Sequence, residues 1–362
     1  MRRLPLALVL LLTPLPVRAA DDWVGLTVFS TKERLPLRDA DGKNIGEFSY
    51  SGTVVRELGE WIEVRHVVHP GPYVGRVKKT EVVKVPDAED FFSQKIKADS
   101  KDTWAFRNRA SARVMNKDYD GAIDDLSTAI EIDPHFSLYV ERGRAKRAKG
   151  DLDGAIRDYG EALKQEPAYS VALNNRGVVW EAKGKDDEAL KDYTAAIKAD
   201  PKYSTPYRNR GLIYQRRGDF ALAAKDFTDA VEYDPENPTT LDDLAWLLAT
   251  CPVASVRDGK KAVTVSKKAC ELTEFRSMLL LETLAAAYAE TGDFAKAVET
   301  QKKILDNKEY MDKYGAGVRL KLKLYEQDKP YHTPPVGKGV SSPPPEPKPT
   351  GPGSSKPRSE QK

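Results

Sequence analysis

Residues 170–203 read SVALNNRGVVWEAKGKDDEALKDYTAAIKADPKY, and residues 204–237 read STPYRNRGLIYQRRGDFALAAKDFTDAVEYDPEN. Laid one on the other, Arg176-Gly177 falls on Arg210-Gly211, Ala189 on Ala223, Asp192 on Asp226 and Pro201 on Pro235, each 34 residues apart. Working outward, the alanines extend back to Ala155 and Ala122, the prolines to Pro167 and Pro134, and the dipeptides to Arg142-Gly143 and Arg109-Ala110, in steps of 33 or 34. A fixed period of this length marks one supersecondary unit stacked on copies of itself. The local chemistry says which unit. Turns such as Lys117-Asp118-Tyr119-Asp120-Gly121 and Arg217-Gly218-Asp219-Phe220 end one helix and cap the next. A Pro behind an acidic residue, as in Asp133-Pro134 and Asp200-Pro201, stops the second helix. Small residues at the eighth position of each unit (Ala110, Gly143, Gly177, Gly211, Ala245, Ala285) let the two helices approach closely.

A 34-residue beat carrying small, aromatic, Ala and Pro landmarks resembles the tetratricopeptide repeat (TPR), a stacked helix–turn–helix. On that resemblance residues 103–311 divide into six repeats: 103–135, 136–169, 170–203, 204–237, 238–277 and 278–311. The fifth is irregular, with Ala262 lying 39 residues after Ala223, so Pro252–Gly259 enlarges its turn. The segment Leu244–Pro252 with Arg257–Ala262 and Ala269–Leu272 resembles a recurrent C-terminal TPR module of bacterial proteins. Flanking helices are expected to cap the open ends of the array, over 88–102 before it and 312–329 after it. The alternation of Leu320, Leu322 and Leu324 in the latter also suits a strand.

The 362 residues exceed what one compact domain usually holds. Mean hydropathy is −0.56, which excludes a multispanning membrane protein. The formal net charge of +3 is unevenly spread: residues 1–19 and residues 330–362 each carry +3, leaving −3 over residues 20–329. Nucleic acid is therefore not an expected partner. Met1-Arg2-Arg3 precedes an apolar run from Leu4 to Val17 that ends in Val17-Arg18-Ala19. A basic start, a short apolar stretch and small residues read as a secretory signal over 1–19, cleaved after Ala19. The run is too short for an anchor and is broken by Pro14 and Pro16, so the mature chain is expected to carry no integral membrane segment. The expected location is outside the cytoplasmic membrane, in the periplasm or the extracellular cell envelope.

Residues 20–87 have a strand-like texture, with candidate strands at 23–29, 46–50, 53–58, 61–66 and 73–78 separated by Gly, Asp and Pro turns. Short strands that bury both edges argue for a small closed barrel. Gly52-Thr53-Val54-Val55, Trp61-Ile62-Glu63-Val64-Arg65 and Tyr73-Val74-Gly75-Arg76-Val77 resemble bacterial SH3-like domains. That resemblance implies cell-wall or peptide binding. His66 and His69 form an isolated pair without a further ligand at metal-site spacing. The expected fold is thus mainly α, a TPR helix–turn–helix solenoid preceded by a small all-β SH3-like barrel. Residues 330–362, with Pro330, Pro334, Pro335 and the Pro343–Pro345 run, are expected to form a disordered tail.

Two sets of residues stand out within the repeats. Arg109, Arg142, Arg176 and Arg210 occupy the seventh position, where the family usually has Leu, and Asp125, Asp158, Asp192 and Asp226 follow sixteen residues later on the partner helix. The fifth and sixth repeats have Leu244 and Leu284 instead, and Val265 and Thr300 in place of the Asp. Arg and Asp appear and vanish together, so an intra-repeat ion pair is expected. The second set follows from the resemblance, which implies that positions 2, 5, 9, 12 and 13 of each first helix line a concave face. Arg107, Arg144, Arg147, Asn174, Arg208, Gln215 and Arg216 are the candidate partner-binding residues there. Over these positions in the first four repeats five Arg stand against one Glu, Glu181, so the face reads as basic and suits a partner with carboxylates, as well as an ordinary solvated helix face. The five-residue clamp with which some TPR domains hold chaperone tails is not matched. Starting at Arg107, its places fall on Ser111, Glu141, Val171 and Asn175.

Nucleotide-binding, hydrolase and zinc-protease motifs are absent from the sequence, and its four His are scattered. Cys251 and Cys270 lie near opposite ends of a helical hairpin, beyond disulfide reach, and read as buried packing residues. No catalytic residue, metal or cofactor is expected. The function implied is an exported, non-enzymatic interaction scaffold that binds a protein or peptide segment in the concave face. The alternative is a peptidoglycan-binding adaptor acting through the SH3-like domain.

Overall fold

The computed structural model describes residues 26–335, apart from 40, 49–50 and 69–70, and within that range the side chains of 46, 66–68 and 71–73 are not described. The leader read over 1–19, His69 and the tail beyond Pro335 lie outside the described residues. The chain divides after Gln165 into two compact units.

The first unit begins with an antiparallel sheet of seven strands: β1 (Thr27–Ser30), β2 (Leu35–Arg38), β3 (Asn44–Phe48), β4 (Ser51–Leu58), β5 (Trp61–Val68), β6 (Gly71–Lys78) and β7 (Val82–Lys84). Their spatial order is β3-β2-β6-β5-β4-β1-β7. Alternation drives the packing: Leu35 and Leu37, then Ile62 and Val64, point into a core shared with Val28, Phe48, Val54 and Val77, all at most 2% exposed. Two of these strands have no counterpart among the five expected. Pro36 sits in the middle of β2 and lowers its strand signal, and β7 is three residues long.

Helix α1 (Val85–Ala98) follows β7 without a linker, starting from Pro86 in its first turn. Phe92, fully buried, sits edge-on between Phe29 of β1 at 5.9 Å and Trp104 at 5.4 Å. Overlapping the stretch where a capping helix over 88–102 is expected, α1 joins sheet and repeats through one apolar cluster of Phe29, Ala88, Phe92, Ala105 and Ala112. Two helix pairs complete the unit, α2 (Thr103–Met115) with α3 (Tyr119–Ile132) and α4 (Phe136–Lys149) with α5 (Leu152–Gln165).

The second unit holds four more pairs: α6 (Ser170–Ala182) with α7 (Asp186–Ala199), α8 (Ser204–Arg217) with α9 (Phe220–Tyr233), α10 (Pro238–Thr250) with α11 (Gly259–Leu272), and α12 (Met278–Glu290) with α13 (Phe294–Lys302). It ends with α14 (Lys308–Tyr325), which is helical through Leu320, Leu322 and Leu324. Asp caps recur, with Asp118, Asp258 and Asp293 each accepting from a backbone amide of the following first turn. Gly150 and Gly218 end α4 and α8 in the left-handed region, at φ 96° and 83°. The enlarged fifth turn is fastened by Arg257, which donates to the Cys251 carbonyl and to Glu290, both at 2.8 Å.

The first four pairs are each closed by a size match at the eighth position. A Cβ placed on Gly143, Gly177 or Gly211 would lie 2.8, 2.6 or 2.8 Å from the ring of Tyr159, Tyr193 or Phe227 respectively. In the first pair Ala110 shares its core cluster with the smaller Leu126, which stands at the same register as those rings. Gly177→Ala is therefore expected to destabilise the second unit. Overpacking costs about 1–3 kcal/mol, against a helix-propensity gain of up to about 1 kcal/mol. Adding Tyr193→Leu relieves the clash, so a denaturation cycle on the two substitutions is expected to show coupling, and additive losses would contradict the size match.

Candidate partner-binding face

The Arg–Asp residues meet within each pair and have the same geometry four times. Nε and Nη2 of Arg109 donate to the two carboxylate oxygens of Asp125 at 2.9 and 2.6 Å. Arg142 does so with Asp158 at 2.9 and 2.7 Å, Arg176 with Asp192 at 2.8 and 2.7 Å, and Arg210 with Asp226 at 2.8 and 2.9 Å. Such forked pairs are the strong, orientation-fixing kind. The Asp side chains are only 3–8% exposed. In the fourth pair the hydrogen bonds that Arg210 donates to Asp226 hold its guanidinium above its ordinary pKa. Three of the Arg also cover an aromatic ring one turn back: Arg109 over Phe106, Arg142 over Tyr139 and Arg210 over Tyr207, at 5.6–5.9 Å.

A second cation reaches two of the four carboxylates. Arg113 donates to Asp125 at 3.0 Å and Lys146 stands 2.9 Å from Asp158. Both lie four residues after the paired Arg, on the same helix face. That spacing is readable in the sequence, and the corresponding residues in the next two pairs are Trp180 and Tyr214. These four Arg and four Asp are thus each engaged inside their own helix pair.

The face formed by the first helices is less basic than the sequence count implies. Arg107 is bonded to Glu141 of the following pair, and Arg208 to Asp243 at 2.5 Å. Arg216 donates to Glu181 at 3.0 Å and to Asp186 at 3.2 Å. Counting positions 2, 5, 9, 12 and 13 omits the acids at position 6, Glu141 and Asp243, which neutralise an Arg one repeat earlier. Asn174 is buried and accepts from Asn209 at 3.1 Å, so it belongs to the packing between α6 and α8. Gln215 is half-buried. Of the seven candidate residues, Arg144 and Arg147 of α4 are the exposed ones.

Within the second unit the chain contacts itself at first-helix positions. The segment 330–335 was expected to begin a solvated tail, but its residues Tyr331, His332 and Thr333 lie against α10, α12 and α14. Tyr331 packs on Trp246 with ring centroids 6.1 Å apart, and the Lys321 ammonium stands 5.1 and 5.0 Å from the two rings. His332 Nε2 is 2.7 Å from Glu290. Thr333 donates its backbone amide and its hydroxyl to the Thr250 carbonyl, at 2.7 and 3.0 Å. Thr250 is the last residue of α10, where carbonyls have no partner within the helix. Trp246, Thr250 and Glu290 occupy positions 9, 13 and 13 of the fifth and sixth repeats. The physical reason for the docking is therefore local: an aromatic shelf, a carboxylate and a helix C-terminus meet at one place.

Cys251 and Cys270 are both free and buried, and burial pushes the Cys270 thiol up to about 12. Among the described residues no three His, Cys, Asp or Glu side chains gather as metal ligands, and no helix is long and apolar enough to cross a membrane.

Family models of the tetratricopeptide repeat match residues 140–204 and 205–237, so the chain carries TPR repeats. No curated protein matches the sequence. Among solved structures, the fold is similar to that of the Pseudomonas aeruginosa protein pilF, at 16% identity and TM-score 0.50, over 68% of this chain and 99% of that one. A tetratricopeptide repeat protein from Parabacteroides merdae is 20% identical over 67% of this chain and 88% of its own, with TM-score 0.45. The C-terminal part of a TPR protein from Cytophaga hutchinsonii is 19% identical over 63% and 93%, with TM-score 0.47.

Proposed function

We propose that this chain, built of TPR helix pairs behind an N-terminal β-sheet, is an exported, non-catalytic interaction scaffold whose first-helix face takes an extended segment of a protein partner. The TPR fold supports a protein–protein interaction role. The finer reading is carried by the contact the chain makes with its own residues 331–333. A stretch outside helix and strand lies there across the first-helix residues Trp246, Thr250 and Glu290, held by one backbone hydrogen bond, one ring contact and one carboxylate. Backbone contacts supply affinity in such arrangements, and side-chain sites supply selectivity. Export rests on the sequence of residues 1–19, and a ligand-binding role for the sheet rests on its SH3-like motifs.

Site-specific photo-crosslinking in intact cells tests this reading. A photoreactive residue in place of Ala148 on α4, exposed on a first helix, is expected to capture a protein partner. The same probe in place of Arg157 on α5 or Lys191 on α7, both exposed on second helices, is expected to capture none. Crosslinks confined to the second-helix positions would overturn it. Export is checked by the N-terminal sequence of the mature protein, expected to start at Ala20.

A further inference from the structure

The aromatic residues closing the second and third pairs sit alike under a glycine but meet different residues beyond it. Tyr159 and Tyr193 are both fully buried, each beneath the eighth-position glycine of its first helix. Four residues beyond that glycine, and so one turn along the same helix face, stands Arg147 in one pair and Glu181 in the other. The Tyr193 hydroxyl donates to Glu181 at 2.9 Å, and the other oxygen of that carboxylate accepts from Arg216 at 3.0 Å. Among the described residues Tyr159 has no such acceptor: its buried hydroxyl has no hydrogen-bond partner there. The first and fourth pairs raise no such demand, since Leu126 and Phe227 stand where the tyrosines do. A buried hydroxyl left unpaired costs free energy, and Tyr159 is left so beside two exposed cations. Arg144 and Arg147 both act electrostatically on its hydroxyl, opposing the burial that raises its pKa to about 12.

We propose that Tyr159, Arg144 and Arg147 form a subsite for a carboxylate of the bound partner, which would do for Tyr159 what Glu181 does for Tyr193. One oxygen accepts from the Tyr159 hydroxyl and the other is held by the guanidinium groups, which swing aside on their exposed stems to admit it. The described residues supply a donor and two cations at this point and no hydrogen-bond acceptor for that donor, so the complementary group is an anionic acceptor with two oxygens. Glu181 shows within the same molecule that a carboxylate fits. The proposal rests on the first-helix face being the partner surface, and it names the chemistry that one stretch of that face selects.

The test uses the full chain with ring-carbon-labelled tyrosine, the Tyr159 signal being assigned by Tyr159→Phe. Three probes are titrated: acetyl-Gly-Glu-Gly-amide with a side-chain carboxylate, acetyl-Gly-Gly-Gly with a terminal carboxylate, and acetyl-Gly-Gln-Gly-amide with neither. A carboxylate peptide is expected to shift the Tyr159 resonance, and the Gln peptide to bind about tenfold more weakly, as for loss of one charged hydrogen bond. Whichever carboxylate peptide responds identifies side chain or chain end as the source. Arg144→Ala and Arg147→Ala are each expected to weaken the response. Arg147→Glu builds the acceptor into the chain, so it is expected to abolish the response and to raise the melting temperature. An equal response to the Gln peptide, or an unchanged melting temperature in Arg147→Glu, overturns the subsite. If peptides shift other first-helix signals and leave Tyr159 unmoved, the subsite fails and the binding face stands. If no peptide shifts any first-helix signal, both fail.

Discussion

Arg176→Ala is expected to destabilise the second unit by about 3–5 kcal/mol, because it strands a carboxylate inside the protein. Asp192 is 8% exposed and receives both its charged hydrogen bonds from Arg176. Arg210→Ala is expected to behave alike, since Asp226 is served in the same way. The equivalent substitutions in the first unit are expected to cost less. Asp125 retains Arg113 and Asp158 retains Lys146, so neither carboxylate is left without a counter-ion. Denaturant titration of the four single variants checks the ranking, and a double-mutant cycle on Arg176 and Asp192 checks the coupling. Equal losses at all four positions, or a cycle without coupling, would contradict the account. Replacing both partners with apolar residues is a different experiment, since it removes the buried charge along with its partner.

Phe92→Ala is the second large effect expected, at about 3–5 kcal/mol for an aromatic side chain removed from a closed core. Its ring touches both β1 and α2, through Phe29 and Trp104. Loss of the ring opens a cavity that neither neighbour fills without moving. Sheet and first helix pair are accordingly expected to lose stability together, seen as a single shifted transition by both near-ultraviolet and far-ultraviolet circular dichroism. A change below about 1 kcal/mol, which a solvated linker helix would give, would show that α1 does not bind the two parts into one core. The same contact bears on truncation, because removing residues 21–87 uncovers Phe92.

The helix pairs were legible because each carries its own punctuation. An Asp cap, a glycine and a Pro recur with the period, and each acts within a few residues of its own position. The Arg and Asp spacing was visible for the same reason, since both recur with the period and vanish together at Leu244 and Leu284. What escaped reading depends on residues brought together from different repeats. Glu141 and Asp243 neutralise Arg107 and Arg208 from 34 and 35 residues away, a distance at which no local pattern indicates contact. Thr333 reaches Thr250 across 83 residues, and nothing in a proline-rich composition marks that docking. In the sheet, Pro36 hid β2, although the alternation of Leu35 and Leu37 was present on either side of it.

The docked segment 331–333 also sets terms for any other occupant of its place. It follows α14 after only a few residues, so it meets α10 and α12 as an intramolecular ligand at an effective concentration of order millimolar for a short flexible connection. An incoming segment competes with that standing occupant by mass action, and its apparent affinity falls by the fraction of time the place is already filled. On the proposed reading, weak segments would thereby be screened out at the fifth and sixth repeats.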